Sequence, residues 1–224
     1  IEQLQQDYLP LIYATGFTYT KDINTPCYWV NNKKIDLCVP EDYIGGSGYI
    51  VCVNNMDAYV AGHLIYKTTR REDLCVWWEE DFKIIDQSGK ASMPAGILKD
   101  KSSLYISAEY NGKACLFKLK KDKIKKDILC EKESWAGKIL INNSKVYVLG
   151  GYQGKNELKP CFWKDNHLFE IPNAIDALDM TFDNDILYIC GQYYCDNKIK
   201  PCYWENLQRK ELPIDNNTGW AELI

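Results

Sequence analysis

The chain is written in short apolar runs that break on Asn, Asp, Gly or Lys. K-I-L-I-N-N-S-K-V-Y-V-L-G, residues 138–150, and D-I-L-Y-I-C-G, residues 185–191, are typical. The runs are rich in β-branched and aromatic residues and too short for helices, so the pattern predicts strands joined by tight polar turns. In the best-defined stretch four strands follow one another. They are a (Lys138 to Ile141), b (Val146 to Gly150), c (Pro160 to Trp163) and d (Leu168 to Ile171).

The same four-strand pattern recurs along the chain. Tyrosines open Y-A-T-G, Y-V-A-G, Y-I-S-A, Y-V-L-G and Y-I-C-G at Tyr13, Tyr59, Tyr105, Tyr147 and Tyr188, with spacings of 46, 46, 42 and 41. Three positions on stands a small residue: Gly16, Gly62, Ala108, Gly150 or Gly191. Downstream come Cys27, Cys75, Cys115, Cys161 and Cys202, each with an aromatic residue two positions later (Trp29, Trp77, Phe117, Trp163, Trp204). Repeats of this length with four strands apiece are blades of a β-propeller. The expected fold is therefore all-β: one domain over residues 1–224, with five four-stranded antiparallel blades.

Five cysteines at one step of strand c cannot converge on a metal ion, and no C-x-x-C occurs. They read as compact apolar residues between blades, with the aromatic at +2 on the same side of the strand. The other five, Cys38, Cys52, Cys130, Cys190 and Cys195, fall outside the register. Pairs Cys38–Cys52 and Cys190–Cys195 could form disulfides, or all could stay free. The C-terminal G-W-A-E-L-I aligns with S-W-A-G-K-I at residues 134–139, a sixth copy of strand a. It is expected to close the ring, with Ala221 to Ile224 beside Leu11 to Thr15.

A net charge of -4 argues against a nucleic-acid grip, which needs a basic surface to release counterions from phosphates. No apolar run reaches the roughly 18 to 20 residues of a membrane helix. The chain opens on Ile1, as expected of a processed or trimmed product. No phosphate-binding loop, nucleophile elbow or histidine pair at metal spacing is present, so no cofactor or metal is expected.

The turns from a to b and from c to d keep nearly constant length, whereas the tyrosine-to-cysteine span runs 14, 16, 10, 14, 14. The b-to-c and d-to-a loops lie at one end of an up-and-down blade, and variation confined to one end marks a binding face. His63, Tyr110, Tyr152 and Tyr193 are placed in or beside the b-to-c loops, and Trp135 and Trp220 in the d-to-a loops. Tyr and Trp suit protein or carbohydrate recognition through an apolar body with a polar tip. The first expectation is thus a monomeric, non-catalytic recognition module for a protein or glycan. The alternative is a glycoside-acting hydrolase, which needs two carboxylates about 5 to 9.5 Å apart at the channel mouth. Its candidates are Asp176, Asp179 and Glu222.

With its P-C-Y-W and Y-x-x-G repeats, the chain resembles bacterial β-propeller proteins with divergent kelch-like units. It carries a double glycine, Gly150-Gly151, in one unit and lacks the G-H and W-D pair of WD repeats. The resemblance implies a propeller and an extracytoplasmic location, secreted or surface-anchored, and leaves the activity open.

Overall fold

The computed structural model describes residues 10–21, 23–79 and 81–213. These residues form strands and turns, and none of them is helical. No helix among them is long and apolar enough to cross a membrane. Among the described residues nineteen strands make five sheets, each an antiparallel meander. The first sheet holds β1 (Tyr13–Thr20), β2 (Ile23–Val30) and β3 (Lys33–Asp36). The second holds β4 (Tyr43–Asn54), β5 (Asp57–Tyr66), β6 (Glu72–Trp78) and β7 (Asp81–Asp86). The third runs β8 (Gly96–Asp100), β9 (Ser103–Tyr110), β10 (Lys113–Lys120) and β11 (Lys123–Ile128). The fourth is β12 (Ser134–Asn142), β13 (Lys145–Gln153), β14 (Leu158–Lys164) and β15 (His167–Glu170). The fifth is β16 (Ala174–Asp183), β17 (Ile186–Cys195), β18 (Lys198–Glu205) and β19 (Gln208–Glu211).

One sheet per repeat is what the periodicity predicts. Among the described residues the first sheet has three strands rather than four, and β1 forms its inner edge. Ala221 to Ile224, the expected closing strand, lie outside the described residues.

The constant turns have a conformational cause. Asn55–Met56, Asn143–Ser144, Asn184–Asp185, Asp165–Asn166 and Asn206–Leu207 are two-residue hairpin loops with both φ angles between 45° and 70°. Such primed turns match the right-handed twist of their strands, and Asn and Asp tolerate the left-handed region.

The core lies between sheets. Four clusters of buried residues sit at the four successive junctions, such as Leu37, Val60, Leu64 and Trp77 between the first and second sheets. The strand-c cysteines Cys27, Cys75, Cys115, Cys161 and Cys202 are all fully buried, as expected of packing residues. Burial pushes the Cys115 and Cys202 thiols up to about 12, which keeps them neutral and unreactive. All ten cysteines are free thiols, so neither the Cys38–Cys52 nor the Cys190–Cys195 disulfide forms. Trp77, Trp163 and Trp204 are buried against the preceding sheet. Two of them also donate to the segment that follows that sheet: Trp77 Nε1 to the Cys38 carbonyl at 2.8 Å and Trp204 Nε1 to the Pro172 carbonyl at 3.0 Å. Trp29 is only half-buried, because its side of the first sheet has no preceding sheet within the described chain.

Candidate functional site

The inner strands β4, β8, β12 and β16 stand side by side and line an open cavity of about 570 Å³. Its wall is largely apolar, with Ile50, Ile97, Ile139 and Leu178, and it carries Trp135, Lys138 and Asp179. A shared irregularity builds this wall. In β4 the ladder slips between Gly48 and Ile50, in β12 between Ala136 and Ile139, and in β16 between Ala177 and Asp179. Each slip directly follows the residue paired with the glycine of Y-x-x-G, namely Gly62, Gly150 or Gly191. A β-bulge turns side chains that an unbroken strand would bury, and here it supplies Lys138 and Leu178 to the cavity.

Close approach at the bulge explains the motif glycine. A Cβ on Gly150 would lie 2.2 Å from the Trp135 carbonyl oxygen and 2.6 Å from the Trp163 ring. On Gly62 it would lie 2.0 Å from the Ser47 carbonyl and 2.9 Å from Trp77. In the third sheet β8 begins only at Gly96, opposite Ser107, and the ring behind is Phe117, which leaves room for Ala108.

Lys138 and Asp179 bridge the fourth and fifth sheets, Nζ to Oδ1 at 2.6 Å. The Asp179 carboxylate also accepts the Met180 N–H at 2.8 Å, and Asp176 accepts the Ala177 N–H at 2.8 Å. Both aspartates thus serve backbone donors at irregular steps of β16. Of the three carboxylates predicted from sequence, Asp179 lines the cavity, Asp176 does not, and Glu222 lies outside the described residues.

The structure moves the predicted aromatic face inward. Strand b is longer than expected, so His63, Tyr110, Tyr152 and Tyr193 belong to β5, β9, β13 and β17 rather than to loops. Trp135 belongs to β12, where it covers Gly137 and Gly151 and borders the cavity. Trp220 lies outside the described residues.

Cations cap the tyrosine rings: Lys126 over Tyr110 at 3.4 Å, Lys132 over Tyr152 at 4.8 Å and Arg209 over Tyr193 at 3.9 Å. Tyr152 is 7% exposed and its hydroxyl donates to Glu170, a bond that, with burial, pushes the phenol up to about 12. Tyr193 is 1% exposed, and burial together with the neighbouring Glu211 carboxylate pushes it up to about 12. Ser88 and Lys126 favour the ionised form of Tyr110 and lower it. His63 is also buried, with Nε2 3.5 Å from the Tyr49 hydroxyl and Nδ1 3.8 Å from Glu72. Burial lowers His63, and Glu72 opposes the shift. The buried Tyr152 and Tyr193 rings, each capped on one face, offer no stacking platform to a ligand, whereas Tyr110 is half-exposed.

Sequence reasoning missed Lys138 and the bulge residues. The signal was available in part, since G-K and A-L-D stand at matching steps of two copies of strand a.

No protein-family model and no curated protein sequence matches the chain. Solved structures do resemble it. The β-propeller domain of the Trilobed protease from Pyrococcus furiosus, whose reported topology is an open velcro, has a TM-score of 0.56 at 12% identity. That alignment covers 95% of this chain and 67% of that one. A Trypanosoma rangeli sialidase has a TM-score of 0.49 at 11% identity, over 86% of this chain and 38% of the sialidase. An exo-1,5-α-L-arabinanase from a bovine ruminal metagenomic library has a TM-score of 0.45 at 9% identity, over 85% and 88% of the two chains. The chain therefore spans well under half of the sialidase it resembles.

The likeness to the Pyrococcus furiosus domain establishes the β-propeller fold, and no comparison supports kelch-like units. The expectation of a non-catalytic recognition module is corrected. Of the residues on which the binding face rested, His63, Tyr152 and Tyr193 are buried among the strands. The carboxylate that the geometry places in an open cavity is Asp179, at the centre of the sheets rather than on their variable end.

Proposed function

We propose that residues 1–224 form one five-bladed propeller domain, closed by its C-terminal strand, that acts as a glycoside hydrolase with its reaction centre in the channel at Asp179. The observation that carries this reading is the cavity shared by four inner strands, with Asp179, Lys138 and Trp135 in its lining. A sugar ring placed there would lie against Trp135, whose apolar body and indole N–H suit the two sides of a carbohydrate. Asp179 is one of the two carboxylates that glycoside cleavage requires, and Lys138 fixes its direction.

For the second carboxylate the sequence offers Glu222. In the alignment of strand-a copies it occupies the step of Gly137 and Leu178, the bulge step of the fourth and fifth sheets. The substrate is a glycan, and the expected location is extracytoplasmic, where such substrates lie.

Release of 4-nitrophenol from a panel of 4-nitrophenyl glycosides tests the reading. The wild type should hydrolyse at least one, and Asp179→Asn should lose about a hundredfold or more of kcat with its unfolding temperature retained. Trp135→Ala should chiefly raise KM. A wild type inert across the panel and on natural oligosaccharides, or an Asp179→Asn chain as active as the wild type, would overturn it.

A further inference from the structure

We propose that the cleft between the second and third sheets, at the a-to-b and c-to-d turn end, binds a sulfate or phosphate monoester carried on a ring. The cleft is a cavity of about 190 Å³ lined by Tyr59, Trp78, Leu104 and three lysines, Lys83, Lys99 and Lys121. Among the described residues no carboxylate lines it.

The repeat shows what the fold itself asks of this position. The matching cleft between the fourth and fifth sheets is lined mainly by Tyr147, Phe162, Phe169, Phe182 and Leu187, with Lys164 and Asp185 also bordering it. There Phe182 packs edge-on against Tyr147 at 4.9 Å, and Phe169 stacks on Phe162 at 5.2 Å. Strand register makes the correspondence explicit. Phe169 pairs with Phe162 as Lys83 pairs with Val76, and Phe182 pairs with Leu187 as Lys99 pairs with Leu104. Tyr147 and Tyr59 hold one step, opposite Lys164 and Trp78. Aromatic rings therefore satisfy this cleft in one copy, and lysines replace two of them in the other.

Gathering ammonium groups at one cleft is unfavourable by mutual repulsion unless an anion offsets it. The local anions do so weakly. Lys83 lies 3.8 Å from Asp122, whose carboxylate is fully exposed, and donates to the Lys121 carbonyl at 3.4 Å. Lys99 stands 5.7 Å from the Tyr59 ring centre and donates to the Lys101 carbonyl. Asp57 and Glu79 lie near the Tyr59 hydroxyl, outside the lining. The Lys83 and Lys99 ammonium groups present donors to the terminal oxygens of a tetrahedral oxyanion. Tyr59 and Trp78 supply the apolar surface for the ring that bears it.

The test follows the Trp78 indole N–H by NMR while phenyl phosphate, phenyl sulfate, inorganic phosphate and benzyl alcohol are titrated separately. The expected result is a saturable shift with an ester, about tenfold or more tighter than with inorganic phosphate or benzyl alcohol. Comparing the two esters identifies which oxyanion is preferred. The shift should be lost in Lys83→Gln/Lys99→Gln. It should also be lost in Lys83→Phe/Lys99→Phe, which restores the aromatic filling and should unfold at the wild-type temperature or higher. Esters that bind no tighter than benzyl alcohol or inorganic phosphate, or that bind the Gln pair unchanged, would overturn the proposal. Glycosidase activity has no part in this test, so it stands apart from the channel reading.

Discussion

A residue two positions after a repeated cysteine decides how the sheets meet. Trp163 and Trp204 are wholly buried between sheets, so truncating either to Ala removes its contacts and leaves a cavity. Each substitution should cost about 3 to 5 kcal/mol in denaturant unfolding, and the half-buried Trp29 should cost less. Burial was legible here because the cysteine and aromatic recur at a fixed step. It was not legible for Tyr152 and Tyr193, since their partners Glu170, Lys132 and Arg209 come from other strands and a connecting loop and no local pattern announces them.

His63 gives a pH test at the same scale. Its pKa lies below the ordinary 6.5, so the folded chain holds it neutral, while the unfolded chain takes up a proton as pH falls below that value. Stability present above pH 6.5 should decline as pH falls toward the folded value. Glu170, held below its ordinary 4.5 first by the Tyr152 hydroxyl, loses its contribution only at lower pH. Unfolding temperatures between pH 7 and 5.5 should therefore fall more steeply in the wild type than in His63→Gln.

Among the elements, the two-residue turns were readable because Asn and Asp mark them, yet one is poorly chosen. Met56 sits at φ 70° with 79% of its surface exposed, so its side chain adds strain and little packing. Met56→Gly makes an Asn-Gly turn and should raise stability by about 1 kcal/mol. Gly150→Ala should do the opposite by a larger margin, because the Trp135 carbonyl occupies the space. The bulges escaped sequence reading for a physical reason. A bulge is a mismatch between two strands, and periodicity along either strand alone does not reveal it. The aromatic ends of strand b escaped as well, since variable hairpin length looks the same whether strands extend or loops lengthen.

At the scale of the whole molecule, the repeat count translated directly into five sheets, with their cores at the junctions between them. The function did not follow from it, because the variable end of a propeller and its channel are both legitimate sites and the sequence weights the first. If the C-terminal copy of strand a closes the ring, a chain ending at Pro213 should unfold at a lower temperature than the full chain.

The position of a bound sugar tests the channel reading most directly. Crystals of the Asp179→Asn chain can be soaked with the 4-nitrophenyl glycoside that the wild type cleaves fastest. The account predicts the sugar ring in the channel, against Trp135 and beside residue 179. A sugar found instead at the outer ends of the b-to-c hairpins, around Tyr66 and the exposed Tyr194, with the channel empty, would contradict it.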